Sequence, residues 1–185
     1  MATSRLIFTP QDSTQAVDAS QLLQLLTQLE LITQPSYREN HYLPGDGFTS
    51  LITFLGCSPN ISLQPDDSDA DDNHCFISIV STTQQIKCLG YTRQCHPKCP
   101  HCRKRIADWQ SSNWQQPDAL CQCDKCGSET AYAHLNWKHE CCFARGGFSI
   151  ANIYPHEALP TDQLLERLQQ QTGVVWDYAY ANNQS

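Results

Sequence analysis

Six of the chain's eleven cysteines fall between Cys95 and Cys126, and two pairs among them have the spacing of metal ligands. They are Cys99-Pro100-His101-Cys102 and, after twenty intervening residues, Cys123-Asp124-Lys125-Cys126-Gly127. Two residues between thiols let a tight turn aim both sulfurs at one ion. Two such turns complete a tetrahedron with metal–sulfur distances of about 2.3 Å. Gly127 suits the second turn, because glycine accepts the positive φ with which such a turn leaves the site. Four thiolates close the coordination sphere and leave no position for water, so a structural metal is expected rather than a catalytic one. Zinc is the expected ion, and iron also fits four thiolates. Cys95 and Cys121 stand just upstream of the two pairs and remain alternative ligands.

The pattern resembles the zinc-ribbon superfamily, whose C-x2-C knuckles sit on the tips of β-hairpins and whose second knuckle ends in glycine. The likeness spans about residues 95 to 137 and implies an inserted, rubredoxin-like ribbon. The superfamily includes nucleic-acid binders, transcription and ribosome components and protein-docking modules, so it implies metal binding more firmly than a task. The first knuckle departs from the pattern: Arg103 follows its second cysteine where glycine would stand, which leaves room for a different turn. Farther on, Asn152-Ile153-Tyr154-Pro155-His156-Glu157-Ala158, with Thr172-Gly173 and Trp176-Asp177-Tyr178, resembles uncharacterised bacterial proteins that carry a ribbon. That likeness implies no activity.

Other chemistries fit less well. Cys-Pro-His-Cys is similar to the active-site motif of thioredoxin-fold oxidants, which makes a thiol–disulfide oxidoreductase an alternative. Such enzymes place the first cysteine at a helix N-terminus. Here His96-Pro97-Lys98 makes a poor strand leading into that helix, and the second pair has no role. A zinc deaminase needs His-x-Glu ahead of its Cys pair, whereas His139-Glu140 is adjacent and follows both pairs. Asp67, Asp69 and Asp71 have calcium-loop spacing, but Asp72 stands where glycine is required and Ser78 where glutamate is. An exposed acidic loop is expected there. Cys57 and the Cys141-Cys142 pair near His139 could be nucleophiles, although free cysteines are usually buried and inert. His134, His139 and His156 read as ordinary surface or core residues.

The charge pattern bears on partners. The net charge is -7, made of -8 over residues 1–86, +4 over 87–145 and -3 over 146–185, so the Cys-rich middle is a basic island in an acidic protein. Lys98, Arg103, Lys104, Arg105 and Lys125 are candidate nucleic-acid contacts, with Trp109 and Trp114 as stacking faces. Trp109, Trp114 and Trp137 are more often the cover of a small ribbon core than stacking faces for bases. With no basic surface evident beyond the ribbon, a protein partner is favoured over nucleic acid. The sequence has no signal-peptide pattern and no run approaching the roughly 20 apolar residues of a membrane span, so a cytoplasmic protein is expected. An odd cysteine count also excludes a complete disulfide framework.

The elements that must position the cysteines come next. Arg5 to Phe8 reads as a strand, and Leu22, Leu25, Leu26, Leu29 and Ile32 as one helix capped by Ser20 and stopped by Pro35. Residues 47–55 alternate as a strand that a Gly56-to-Asn60 turn returns into Ile61 to Leu63. Cys75 to Ser81 and Gln85 to Tyr91 read as strands joined by a polar turn. Phe148 to Tyr154 is a further strand, Thr161 to Thr172 a helix closed by Gly173, and Val174 to Tyr180 a final strand. The two ends echo each other as strand, proline and amphipathic helix. The expected fold is therefore α+β: two β-α-β-like halves share one antiparallel sheet, ferredoxin-like, with the ribbon inserted between them. The expected domains are 1–92 and 139–185 for the two parts of the α+β unit and 93–138 for the ribbon. The expected protein is non-enzymatic, zinc-bound and macromolecule-docking.

Overall fold

The first strand, β1 (Arg5–Pro10), is buried on both faces: Leu6 and Phe8 join the main core with the helices, while Ile7 packs on the opposite side. The computed structural model describes residues 4–35, 39–55, 61–64, 74–110 and 113–182. After β1 come helix α1 (Ala19–Gln28), strands β2 (Ile32–Pro35) and β3 (His41–Pro44), a single helical turn α2 (Phe48–Leu51), and strands β4 (Ile52–Phe54), β5 (Ile77–Val80) and β6 (Lys87–Tyr91). Then follow β7 (Leu120–Gln122), β8 (Glu129–Ala131), a 3-10 turn (Tyr132–His134), β9 (Cys141–Ala144), β10 (Gly147–Ala151), β11 (Ala158–Pro160), helix α3 (Asp162–Thr172) and β12 (Trp176–Ala181). The protein is mixed α+β, with few helices and antiparallel strand pairing throughout its named ladders.

The main sheet has six strands in the order β12-β1-β10-β5-β3-β2. Strand β10 lies between β1 and β5, and β1 lies between β10 and β12, so two split β-α-β units interleave. Helix α1 belongs to the first and α3 to the second, while β2 and β3 extend the sheet beyond β5. Leu22 and Leu26 of α1 and Leu164 and Leu168 of α3 pack with Leu6, Phe8, Phe148 and Ile150 in the main core. Phe8 and Phe148 stack at 4.4 Å across the β1–β10 ladder. Helix α3 is closed as the sequence predicts, with Gly173 at φ 71° and its amide donating to Gln169 O at 2.8 Å.

Four expectations are corrected. Asp18, not Ser20, caps α1, accepting from the amides of Ser20 and Gln21. The helix then ends at Gln28, and Glu30 turns left-handed (φ 54°), so the chain enters β2 at Ile32. Residues 48–51 form a helical turn rather than a strand. Phe48 and Leu51, three apart, are both buried, and an unbroken apolar run fits either period. Strand β4 pairs with β11, while the expected turn at 56–60 lies outside the described residues, as does most of the acidic stretch. Finally, β5 and β6 are not sheet neighbours: β5 joins the main sheet and β6 pairs with β9.

That β6–β9 pair lies against the reverse face of the main sheet, where Leu89 and Cys142 meet Ile7, Ala179 and Ala181. Gly90 makes the approach possible, since a Cβ there would sit 2.6 Å from Ala181 Cβ and 2.6 Å from Ile7 Cδ1. Backbone bonds from Tyr180 N to His139 O (2.7 Å) and from Asn182 N to Tyr91 O (3.1 Å) tie down the outer edge of β12. The other face of β6–β9, with Tyr91, Cys141 and Phe143, belongs to a second buried cluster that runs through Cys95, Ile106, Trp109, Leu135 and Trp137. This cluster carries the cysteine pairs. Among the described residues, no helix is long and apolar enough to cross a membrane.

Candidate metal centre

Each Cys pair is carried on a turn between antiparallel-paired residues. The second joins β7 to β8, and the first is flanked by the bridge between Lys98 and Arg105, with Asn136 on the other side of Lys98. The two turns share one hydrogen-bond pattern. Arg103 N donates to Cys99 O at 2.9 Å and Cys99 N to Lys104 O at 2.9 Å; Gly127 N donates to Cys123 O at 2.8 Å and Cys123 N to Ser128 O at 2.9 Å. Arg103 therefore does not change the first turn. It adopts φ 61°, close to the 73° of Gly127, at the steric cost a non-glycine residue bears there.

These turns bring Cys99, Cys102, Cys123 and Cys126 together, every sulfur within 4.8 Å of the others. Cys99 and Cys126 Sγ are 3.7 Å apart, as are Cys102 and Cys123 Sγ. A tetrahedron with metal–sulfur bonds of about 2.3 Å has edges of about 3.8 Å, so these separations fit a four-thiolate metal site. They are far too long for disulfide bonds, and all four cysteines are free. Cys95 and Cys121 are not in the group. Both are buried in the adjoining apolar cluster, where burial pushes the Cys95 thiol up to about 12 and raises that of Cys121.

Ser128, which the sequence reading passed over, touches two of the sulfurs. Its hydroxyl lies 3.0 Å from Cys126 Sγ and 3.4 Å from Cys99 Sγ. Hydrogen bonds from Ser128, and then from the backbone amides of Cys102 and His101, hold the Cys99 thiol down at about 6; Ser128 also lowers Cys126. At Cys102 the Lys104 amide works in the same direction, but desolvation and the neighbouring sulfurs prevail and push it up to about 11. Four thiols this close cannot all lose their protons without a counter-charge, and a dication is the natural means of keeping them as thiolates. Sequence could not reveal Ser128, because a serine two residues after a cysteine is unremarkable until both knuckles close.

The tryptophans lie beneath the site. Trp109 meets Trp137 edge-on at 5.1 Å and Trp114 at 4.8 Å, and Tyr91 meets Trp114 at 4.9 Å. Trp109 and Trp137 are buried in the apolar cluster beside the cysteines and offer no open face for a base, while Trp114 is half-buried. Arg103, Lys104, Arg105 and Lys125 are exposed and Lys98 is half-buried; Lys125 is paired with Asp124 at 2.8 Å.

The suggested nucleophiles are not brought into a catalytic arrangement. Cys141 and Cys142 are buried, and burial drives both thiols well above their ordinary range; Cys57 lies outside the described residues. His139 is held between backbone and side-chain partners on β12. Its Nδ1 lies 2.7 Å from Tyr178 O and 3.3 Å from Asp177 Oδ1, and its ring stacks on Tyr178 at 4.2 Å. No family model, no curated protein and no solved structure matches the chain.

Proposed function

We propose that this chain is a non-enzymatic zinc protein of the cytoplasm in which Cys99, Cys102, Cys123 and Cys126 hold one structural ion and the ribbon they organise presents a surface to a protein partner. The convergence of four sulfurs at tetrahedral separations, on two turns of one design, is the observation that carries the reading. A closed set of four thiolates favours a structural over a catalytic ion, and zinc over iron in the absence of a redox role. In this reading residues 93–138 are a rubredoxin-like insertion. Residues 1–92 and 139–185 form the frame, and the order β12-β1-β10-β5 with a helix in each crossover supports calling it ferredoxin-like.

Elemental analysis of untagged protein tests the metal, with thiols titrated before and after chelation. One zinc per chain, with four thiols exposed on its removal, is the expected result. A metal-free protein with one fast-reacting thiol would overturn the reading and favour the Cys99–Cys102 redox pair. The second reading, nucleic-acid binding, draws on exposed Arg103, Lys104 and Arg105 on consecutive positions. Affinity for single-stranded RNA that falls steeply with salt, and drops on neutralising those three, would favour it over protein docking.

A further inference from the structure

A cleft of about 320 Å³ opens where the end of β1, the turn before β9 and the start of β12 meet, and none of the four clustered cysteines lines it. Its volume is that of a small-ligand site, and it lies at the junction of two packed units, where such sites concentrate. One wall is an unusual turn. Glu140 N donates to Trp137 O at 2.9 Å, and the residues between, Lys138 and His139, have φ of 51° and 64°. This is a type I′ arrangement, which ordinarily selects Asn-Gly because both central residues need positive φ. Lysine and histidine are disfavoured there, so what they contribute is their side chains.

Those side chains form a donor pair. Tyr178 O and Asp177 Oδ1 can only accept, so His139 Nδ1 carries the proton and Nε2 is the open position of the ring. Lys138 has no carboxylate within ion-pair distance among the described residues, and Lys98 lies beside it. When the imidazole carries its second proton it balances Asp177 and Nε2 becomes a donor, so the charge of Lys138 is in excess at the cleft. We propose that this cleft binds the oxyanion head of a small ligand, a phosphate or a carboxylate, between the ammonium of Lys138 and Nε2 of His139. The proposal goes beyond the metal reading and uses none of its ligands.

The other titratable groups around the imidazole are Asp177 and Tyr178 on β12, Glu140 on its own turn, and Cys141 and Cys142 on β9; Asp12, in the segment after β1, is turned to Thr14. Anion binding should therefore weaken as pH rises and the imidazole loses its second proton.

The test uses the full, metal-loaded chain and follows the amide resonances of residues 136–140 and 177–178 during titration with inorganic phosphate or malonate, against chloride at matched ionic strength. Saturable shifts at millimolar anion are expected, weakening at least threefold for malonate between pH 6 and pH 8.5. The stronger of the two anions identifies the head group. The double substitution K138N/H139G puts the residues that the turn prefers in place of the donors, so it keeps the fold and should weaken binding at least tenfold. Saturation by neither anion, or equal affinity in that variant, would overturn the proposal.

Discussion

Arg103 and Gly127 occupy the same position in two equivalent turns, each donating its amide to the carbonyl of the cysteine four residues before it. The comparison predicts opposite outcomes for two substitutions. Arg103→Gly relieves about 1 kcal/mol of left-handed strain but frees the unfolded chain, for a net gain of about 0.5 kcal/mol. Gly127→Ala meets no atom within 4 Å, so about 1 kcal/mol of backbone strain, partly offset by the stiffer unfolded chain, leaves a net loss of about 0.5 kcal/mol. Denaturant unfolding of the metal-loaded proteins checks both signs.

Removing the metal should unfold one part of the chain and spare the other. Trp109, Trp114 and Trp137 pack on one another in the cluster beside the four cysteines, whereas the main core is built from α1, α3 and the six-stranded sheet. Chelation is expected to reduce the near-ultraviolet tryptophan dichroism to what Trp176, packed on Phe148 in the main core, contributes, while most far-ultraviolet signal persists. Simultaneous loss of both signals would show that the frame depends on the ribbon.

Ser128→Ala isolates the hydroxyl that touches two sulfurs. Without it Cys99 loses its largest lowering influence, and Cys126 loses its own, so more protons must leave when the ion binds. Apparent zinc affinity near neutral pH should fall about tenfold, and the deficit should shrink as pH rises. Competition against a zinc-binding dye across pH 6 to 9 measures it.

The paired cysteines, the two amphipathic helices and the strands that became β1, β10 and β12 were legible because each rests on a local rule: ligand spacing, a 3.6-residue period, or a period of two. What escaped was decided elsewhere in the fold. Residues 48–51 are apolar in both periods, and only the buried positions of Phe48 and Leu51 select a helical turn. Strand β6 has a strand's composition, but its removal to the reverse face depends on Gly90 meeting Ala181 and Ile7, residues about ninety positions away in either direction. The turn at Lys138 and His139 lacks the Asn-Gly that would announce it.

Gly90→Val should separate β6–β9 from the sheet. A Cβ 2.6 Å from two apolar carbons cannot be accommodated without moving a strand, and such overpacking costs about 1–3 kcal/mol. Faster amide exchange in Leu89 to Tyr91 and at Tyr180 and Asn182 is the expected signature, with exchange in α1 unchanged.

The His139–Asp177 pair predicts a pH window. His139 is raised from 6.5, first by its hydrogen bond to Asp177 and against the effect of burial, so its contribution is complete below 6.5 and is lost as pH climbs through the folded value. At Asp177 burial works upward, but hydrogen bonds from His139 and the Tyr178 amide prevail and lower it from 3.8; its contribution is present above 3.8 and is lost as pH falls through the folded value. The pair therefore stabilises the protein from about pH 4 to somewhat above 6.5. Both side chains are more than a third exposed, 41% and 44%, so water screens the attraction and the effect stays below about 1 kcal/mol. Between pH 6 and 8.5 the native protein should lose stability relative to Asp177→Asn, the two being compared at each pH so that changes at the thiolates cancel. A constant difference across that range would show that the contact is held by the Tyr178 carbonyl and ring stacking alone.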